Sequence, residues 1–162
     1  MYASQDTNQY IKNALDKYSD MVFRLAFSNL KNKYDAEDIA QNVFIKLMEN
    51  RANIQSAEHE KAWLIRVTIN LCKNQLKASR FRISLPVDET IAAPKDDKEE
   101  VLAEVLSLPL KYRNVIHLYY YEGYSVSEIS DILGSKENTV SSWLFRARKM
   151  LKTKLEGGFG DE

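Results

Sequence analysis

The chain has 162 residues, 44% of them hydrophobic and 28% charged, with 23 basic and 23 acidic side chains and a formal net charge of zero. That composition suits one domain or two small ones; the single cysteine, Cys72, excludes an internal disulfide, and no window approaches the ~18 uninterrupted apolar residues of a membrane span. The stretch from Met1 to Asn13 is polar and lacks the apolar core of a secretory signal, so the expected compartment is the cytoplasm, without membrane insertion.

Three prolines and five glycines leave little room for β-turns, and helical periodicity runs through nearly the whole chain. The expected fold is therefore all-α: two small helical domains joined by a flexible linker. Residues 8–32 predict a first helix with Ile11, Leu15, Tyr18, Val22, Leu25, Ala26 and Leu30 on one face. A second begins near Asp35, whose carboxylate suits an N-cap, and carries Ile39, Val43, Phe44, Leu47 and Met48. A third covers about 60–79 and turns Trp63, Leu64, Val67, Leu71 and Leu76 inward, with Cys72 as a small buried hydrophobe. Residues 83–98 hold two of the three prolines and no periodicity, which reads as the linker. Beyond it, Val101, Val105, Leu106 and Leu108 form a helix that ends before Pro109, and Lys111 to Tyr121 form the next, closing at Gly123.

The last pair of helices carries the clearest signal. Ser125-Val126-Ser127-Glu128 is a capping box, opening a helix with Ile129, Ile132 and Leu133 on its apolar side. Gly134 supplies the turn, and the following helix repeats Val140, Leu144, Ala147 and Leu151 as one buried stripe. Helix, glycine turn and basic helix form a helix-turn-helix, whose second helix enters the major groove of DNA. The face opposite the stripe offers Asn138, Ser142, Phe145, Arg146 and Lys149, with Thr139 and Ser141 beside it. An arginine can bind guanine bidentately, and a phenylalanine can meet a thymine methyl. Arg148, Lys152 and Lys154 read as phosphate contacts or solvated charge. The expected domains are 1–82 and 99–156, with a disordered tail at 157–162.

Charge is segregated along the chain. Residues 136–154 carry +5, residues 61–82 carry +6 with no acid, and residues 35–60 and 84–100 each carry −4. Two basic surfaces flanked by acidic ones predict two nucleic-acid contacts and a separate protein partner. In the second basic segment, Arg66, Asn70, Lys73, Asn74 and Lys77 combine phosphate-binding charge with amides able to read unpaired base edges. Trp63 could offer a stacking face, although core packing is the preferred reading. Tyr119-Tyr120-Tyr121 is likewise read as core and turn packing.

Catalysis has little support. His59 and His117 lie far apart in sequence, Cys72 stands alone, and no phosphate-binding glycine loop or metal-ligand spacing occurs. No enzyme activity, cofactor, metal or small-molecule substrate is expected.

Three groups of residues together resemble the extracytoplasmic-function (ECF) group of sigma-70-type RNA polymerase sigma factors. The first is Asp35-Ala36-Glu37-Asp38-Ile39-Ala40-Gln41-Asn42-Val43-Phe44, the second Ala62-Trp63-Leu64-Ile65-Arg66 with Asn70 beyond it. The third joins Leu108-Pro109, Tyr112-Arg113 and Glu122-Gly123-Tyr124-Ser125 to Thr139-Val140-Ser141-Ser142 and Arg146-Ala147-Arg148-Lys149. The resemblance implies that the second helix docks on core RNA polymerase through Asp35, Asp38, Gln41, Asn42 and Phe44. It implies that Trp63, Arg66, Asn70, Lys73, Asn74 and Lys77 melt and read the −10 element of promoter DNA, with a loop at about Ser56 to Glu60 shaping a pocket for a flipped base. The helix-turn-helix would read the −35 element, and an anti-sigma protein would be a further partner. Ser141 and Trp143 stand where many relatives carry Lys or Arg, so −35 preference does not transfer. The alternative is a stand-alone helix-turn-helix regulator binding an operator.

Overall fold

The computed structural model describes residues 5–79 and 97–159; nearly all of the expected linker, 83–98, lies outside them. The described residues form helices without a strand and divide into two compact units.

The first unit contains α1 (Gln5–Leu30), α2 (Lys33–Asn50) and α3 (Ala57–Ser79), with α1 packed against both others and α2 against α3. Apolar residues spaced three and four apart build its core: Ala14, Tyr18, Met21, Val22, Leu25 and Ala26 meet Ala36, Ile39, Val43, Leu47, Leu64, Ile65 and Cys72. Leu15, expected inward, is instead exposed, because Ala14 and Tyr18 occupy the buried register. At the α1–α2 turn Lys31 takes a left-handed conformation (φ 57°) and its amide donates to the Phe27 carbonyl at 2.8 Å. Asn32 then caps α2, its side-chain oxygen accepting from the Asp35 amide at 3.0 Å. Asp35 is therefore not the cap; it sits in the first turn, where a carboxylate complements the helix dipole.

Helix α3 begins at Ala57, three residues earlier than expected, because the Ser56 hydroxyl accepts from the His59 amide at 3.1 Å. Its buried register is Leu64, Ile65, Thr68 and Cys72, while Trp63, Val67, Leu71 and Leu76 are half-buried along the flanks. Thr68 can occupy the core because its hydroxyl donates to the Leu64 carbonyl at 2.7 Å. Burial pushes the Cys72 thiol up to about 12, so it stays protonated and unreactive.

The second unit contains α4 (Asp97–Leu106), α5 (Leu110–Ile116) extended by a wide π-helical turn (His117–Tyr121), α6 (Val126–Leu133) and α7 (Glu137–Phe159). Helix α4 starts inside the expected linker, and α7 runs through Gly157 and Gly158, which the sequence assigns to a disordered tail. α7 packs on α4, α5 and α6. Arg113 is buried and donates from Nη1 to the carbonyl of Leu106 at 3.1 Å, pinning the end of α4 to α5. Burial holds its guanidinium below the usual arginine range.

In the wide turn the Glu122 amide reaches the His117 carbonyl at 3.2 Å and the Tyr124 amide the Leu118 carbonyl at 3.0 Å. A π turn accommodates one more residue than an α turn, rotating the residues beyond it about the helix axis. His117 is buried there, stacked on Tyr121 with centroids 5.3 Å apart, and its Nε2 lies 3.5 Å from the Glu122 carboxylate. It is a packing residue of the turn.

Candidate nucleic-acid interface

The helix-turn-helix rests on two local devices. In the capping box the Ser125 hydroxyl accepts from the Glu128 amide, and the Glu128 carboxylate accepts from the Ser125 amide, both at 3.1 Å. These bonds with Ser125, the backbone one foremost, hold the Glu128 carboxyl below its usual range. Gly134 ends α6 in the left-handed region (φ 68°), and a Cβ there would meet nothing within 4 Å, so the demand for glycine is conformational rather than steric.

Val140, Leu144 and Ala147 are fully buried, which turns the opposite face of α7 to solvent. Asn138, Ser141, Phe145, Arg146 and Lys149 are exposed, and Thr139 and Ser142 are half-buried at the edges. Phe145 is 66% exposed, which a core role would not permit. The face thus combines one cationic fork, one ammonium, small polar groups and an apolar ring, the donor set of major-groove readout.

Beside this face lies a tyrosine cluster that packs at the turn but does not enter the core. Tyr120 and Tyr121 are each 56% exposed and so are not core residues. The π turn rotates them outward, a displacement that counting in α-helical steps does not reveal. Arg148 lies against the first two tyrosines, its guanidinium carbon 5.2 Å from the Tyr119 ring and 5.5 Å from the Tyr120 ring. Lys154, read as phosphate contact or solvated charge, donates to the Ser107 hydroxyl at the end of α4.

On α3, Arg66, Asn70, Lys73, Asn74 and Lys77 lie on the side opposite Leu64, Ile65, Thr68 and Cys72, and all five are exposed. Trp63 is half-buried, so part of its ring packs and part remains accessible. The loop expected at Ser56–Glu60 lies earlier in the chain than the sequence suggests. Residues 57–60 belong to α3, and the connection is a 3₁₀ turn (Arg51–Asn53) followed by Ile54, Gln55 and Ser56. Ala52, Asn53, Gln55 and Ser56 are exposed there.

On α2, Asp38, Gln41 and Asn42 are exposed and Asp35 is half-buried. Phe44 is 6% exposed and belongs to the core, so the expectation that it meets the polymerase is corrected. The apolar side chains left outside are Tyr34, Ile45 and Met48. Ile45 and Met48 continue the stripe of Asp38 and Gln41 at steps of three and four, a periodicity visible in the sequence once Phe44 is placed inside. No described helix is long and apolar enough to cross a membrane.

Residues 14–82 match sigma-70 region 2, and residues 98–151 match sigma-70 region 4. The chain is 30% identical over 161 residues to the RNA polymerase sigma factor SigV of Bacillus subtilis, covering 96% of each chain. It is 31% identical over 157 residues to the ECF RNA polymerase sigma factor SigM of the same organism, covering 90% of this chain and 94% of that one. Its fold is similar to that of the sigma factor RpoE from Bartonella quintana, solved in complex with the anti-sigma factor NepR (TM-score 0.73, 23% identity, 90% of this chain and 96% of that chain). The chain thus belongs to the ECF group of sigma-70-type RNA polymerase sigma factors, proteins that are not enzymes but direct promoter-specific initiation of transcription.

Proposed function

We propose that the two units divide promoter reading between them, residues 1–82 acting on the −10 element and residues 99–156 on the −35 element across the 83–98 linker. The observation that carries this is a pair of exposed polar and cationic faces, one on α3 and one on α7, in a chain whose net charge is zero. Non-specific duplex affinity comes mainly from phosphate neutralisation and counterion release, so such a chain holds DNA weakly unless another protein holds it there. Arg66, Lys73 and Lys77 serve the strand backbone, Asn70 and Asn74 the base edges, and Trp63 a partly exposed stacking face. Asn138, Thr139, Ser141, Ser142, Phe145, Arg146 and Lys149 form the −35 face.

Core polymerase is assigned to α2 through Asp38, Gln41 and Asn42, with Asp35 at the margin and Ile45 and Met48 as apolar anchors. Charged and amide groups around a small apolar centre are the usual make-up of a non-obligate protein interface. An anti-sigma protein is a second proposed partner, and the cytoplasm the proposed site of action. The neighbour of similar fold was solved with such an inhibitor; a pull-down from cells in which the factor is silent should recover one.

The test of the main assignment is a run-off transcription and gel-shift series on genomic fragments, with and without purified core polymerase. Initiation at new sites and promoter binding only with core present are the expected results. Tight binding of the free chain to a palindrome would overturn it in favour of a stand-alone regulator.

A further inference from the structure

The first turns of α1 hold both ends of the connection between α2 and α3. Thr7 and Tyr10, separated by about one helical turn, each reach across to it. The Arg51 Nη1 donates to the Thr7 hydroxyl at 3.2 Å, and the same guanidinium lies over the Tyr10 ring, 4.6 Å from its centroid. The Tyr10 hydroxyl donates to the Glu60 carboxylate in the first turn of α3. Tyr10 stays protonated well above the ordinary phenol range, through burial first and the Glu60 carboxylate second. Arg51 opens the connection and Glu60 stands just past its end, so the contacts bracket residues 52–59. Tyr18, two turns further along α1, adds a long contact from its hydroxyl to the Ala57 carbonyl at 3.5 Å.

Inside the bracket the connection is also tied to itself. The Ile54 amide donates to the Arg51 carbonyl at 3.2 Å, and the Gln55 amide to His59 Nδ1 at 3.1 Å. The side chains of Asn53, Gln55 and Ser56 are exposed; the Ser56 hydroxyl also accepts from the His59 amide and keeps its own O–H to donate. Two amides and a hydroxyl on a backbone fixed at both ends are suited to reading the edge of an extruded base, since a reading group must hold its position to discriminate.

We propose that Thr7 and Tyr10 are positioning residues for −10 recognition: they clamp Arg51 and Glu60 and so preset the loop that carries Asn53, Gln55 and Ser56. This rests on the −10 assignment of the first unit.

The test uses the full chain with core polymerase on a promoter set carrying each base at each −10 position. Tyr10→Ala should compress the ratio between best and worst −10 base by about fivefold, a fraction of what a mismatched base ordinarily costs. Core affinity and −35 preference should be unchanged. Tyr10→Phe, which keeps the ring over Arg51, and Thr7→Val should each give a smaller compression and remain folded. An equal loss on all −10 bases, or an unchanged ratio in all three variants, overturns the proposal. Asn53→Ala and Gln55→Ala separate the two layers. If they alter −10 preference while the clamp variants do not, the clamp alone is wrong; if neither set alters it, the loop reads no base and the clamp falls with it.

Discussion

Arg148 donates from Nε to the phenolic oxygen of Tyr120 at 2.6 Å, so its guanidinium is held beside the recognition face before any DNA arrives. The phenol oxygen accepts that bond, and the two outer nitrogens of the guanidinium remain as donors. A cation fixed by two rings loses less side-chain entropy on binding than one on a free stem. Arg148→Ala in the polymerase-bound factor should weaken promoter binding by a similar factor on all −35 sequences. It should also reduce the salt slope of log affinity by ~0.9, the value of one phosphate contact. Anisotropy titrations over a range of salt concentrations give both quantities, and an unchanged slope would make the pair purely structural.

Arg146 should behave differently. It is exposed in the middle of the outward face of α7, with Phe145 beside it. Arg146→Ala should cost about 1–3 kcal/mol of discrimination at one upstream base pair if it reads a base edge. A loss spread evenly over all upstream sequences would place it on phosphate.

On α2 two neighbours should separate stability from binding. Phe44 is buried and Ile45 is 52% exposed. Phe44→Ala should lower stability by about 3–5 kcal/mol through transfer and cavity terms. Ile45→Ala should leave the melting temperature nearly unchanged while weakening association with core polymerase, as should Asp38→Arg. Melting curves beside a core-binding titration decide it; unchanged core affinity in both surface variants would remove α2 from the polymerase interface.

The cap of α6 should be visible in thermal and acid unfolding. Ser125→Ala removes the hydroxyl that accepts from the Glu128 amide and should cost ~1 kcal/mol. Because the folded state holds the Glu128 carboxyl below its unfolded value, its contribution is present above the ordinary carboxylate range and is lost as pH falls through the folded value. Glu128→Gln should therefore be less stable than the parent at neutral pH and equal to it in strong acid. A gap that persists in strong acid would assign the effect to something other than the charge.

The helix-turn-helix is readable from the sequence because its signals are local: Ser125 and Glu128 lie within one turn, and Gly134 has a left-handed backbone to satisfy. Where sequence and structure differ, the deciding contact lies elsewhere in the chain. Asn32 displaces Asp35 as cap because the choice depends on where α1 releases the chain at Lys31. Phe44 and Ile45 are adjacent apolar residues, and only the packing of α1 and α3 selects which one enters the core. Tyr120 and Tyr121 turn outward because the helix widens at His117–Tyr121, an event with no α-helical period to announce it. The bracket of Thr7, Tyr10, Arg51 and Glu60 joins positions more than forty residues apart, with no pattern along the chain to link them.

The sealed thiol of Cys72 makes the chain a convenient subject for labelling. It is the sole cysteine, fully buried and held protonated, so maleimide dyes should pass over it in the native protein. A pair of cysteines introduced at exposed sites, one at Lys77 on α3 and one at Lys152 on α7, would then take fluorophores without any deletion. Energy transfer between them would follow the separation of the two units as core polymerase is added.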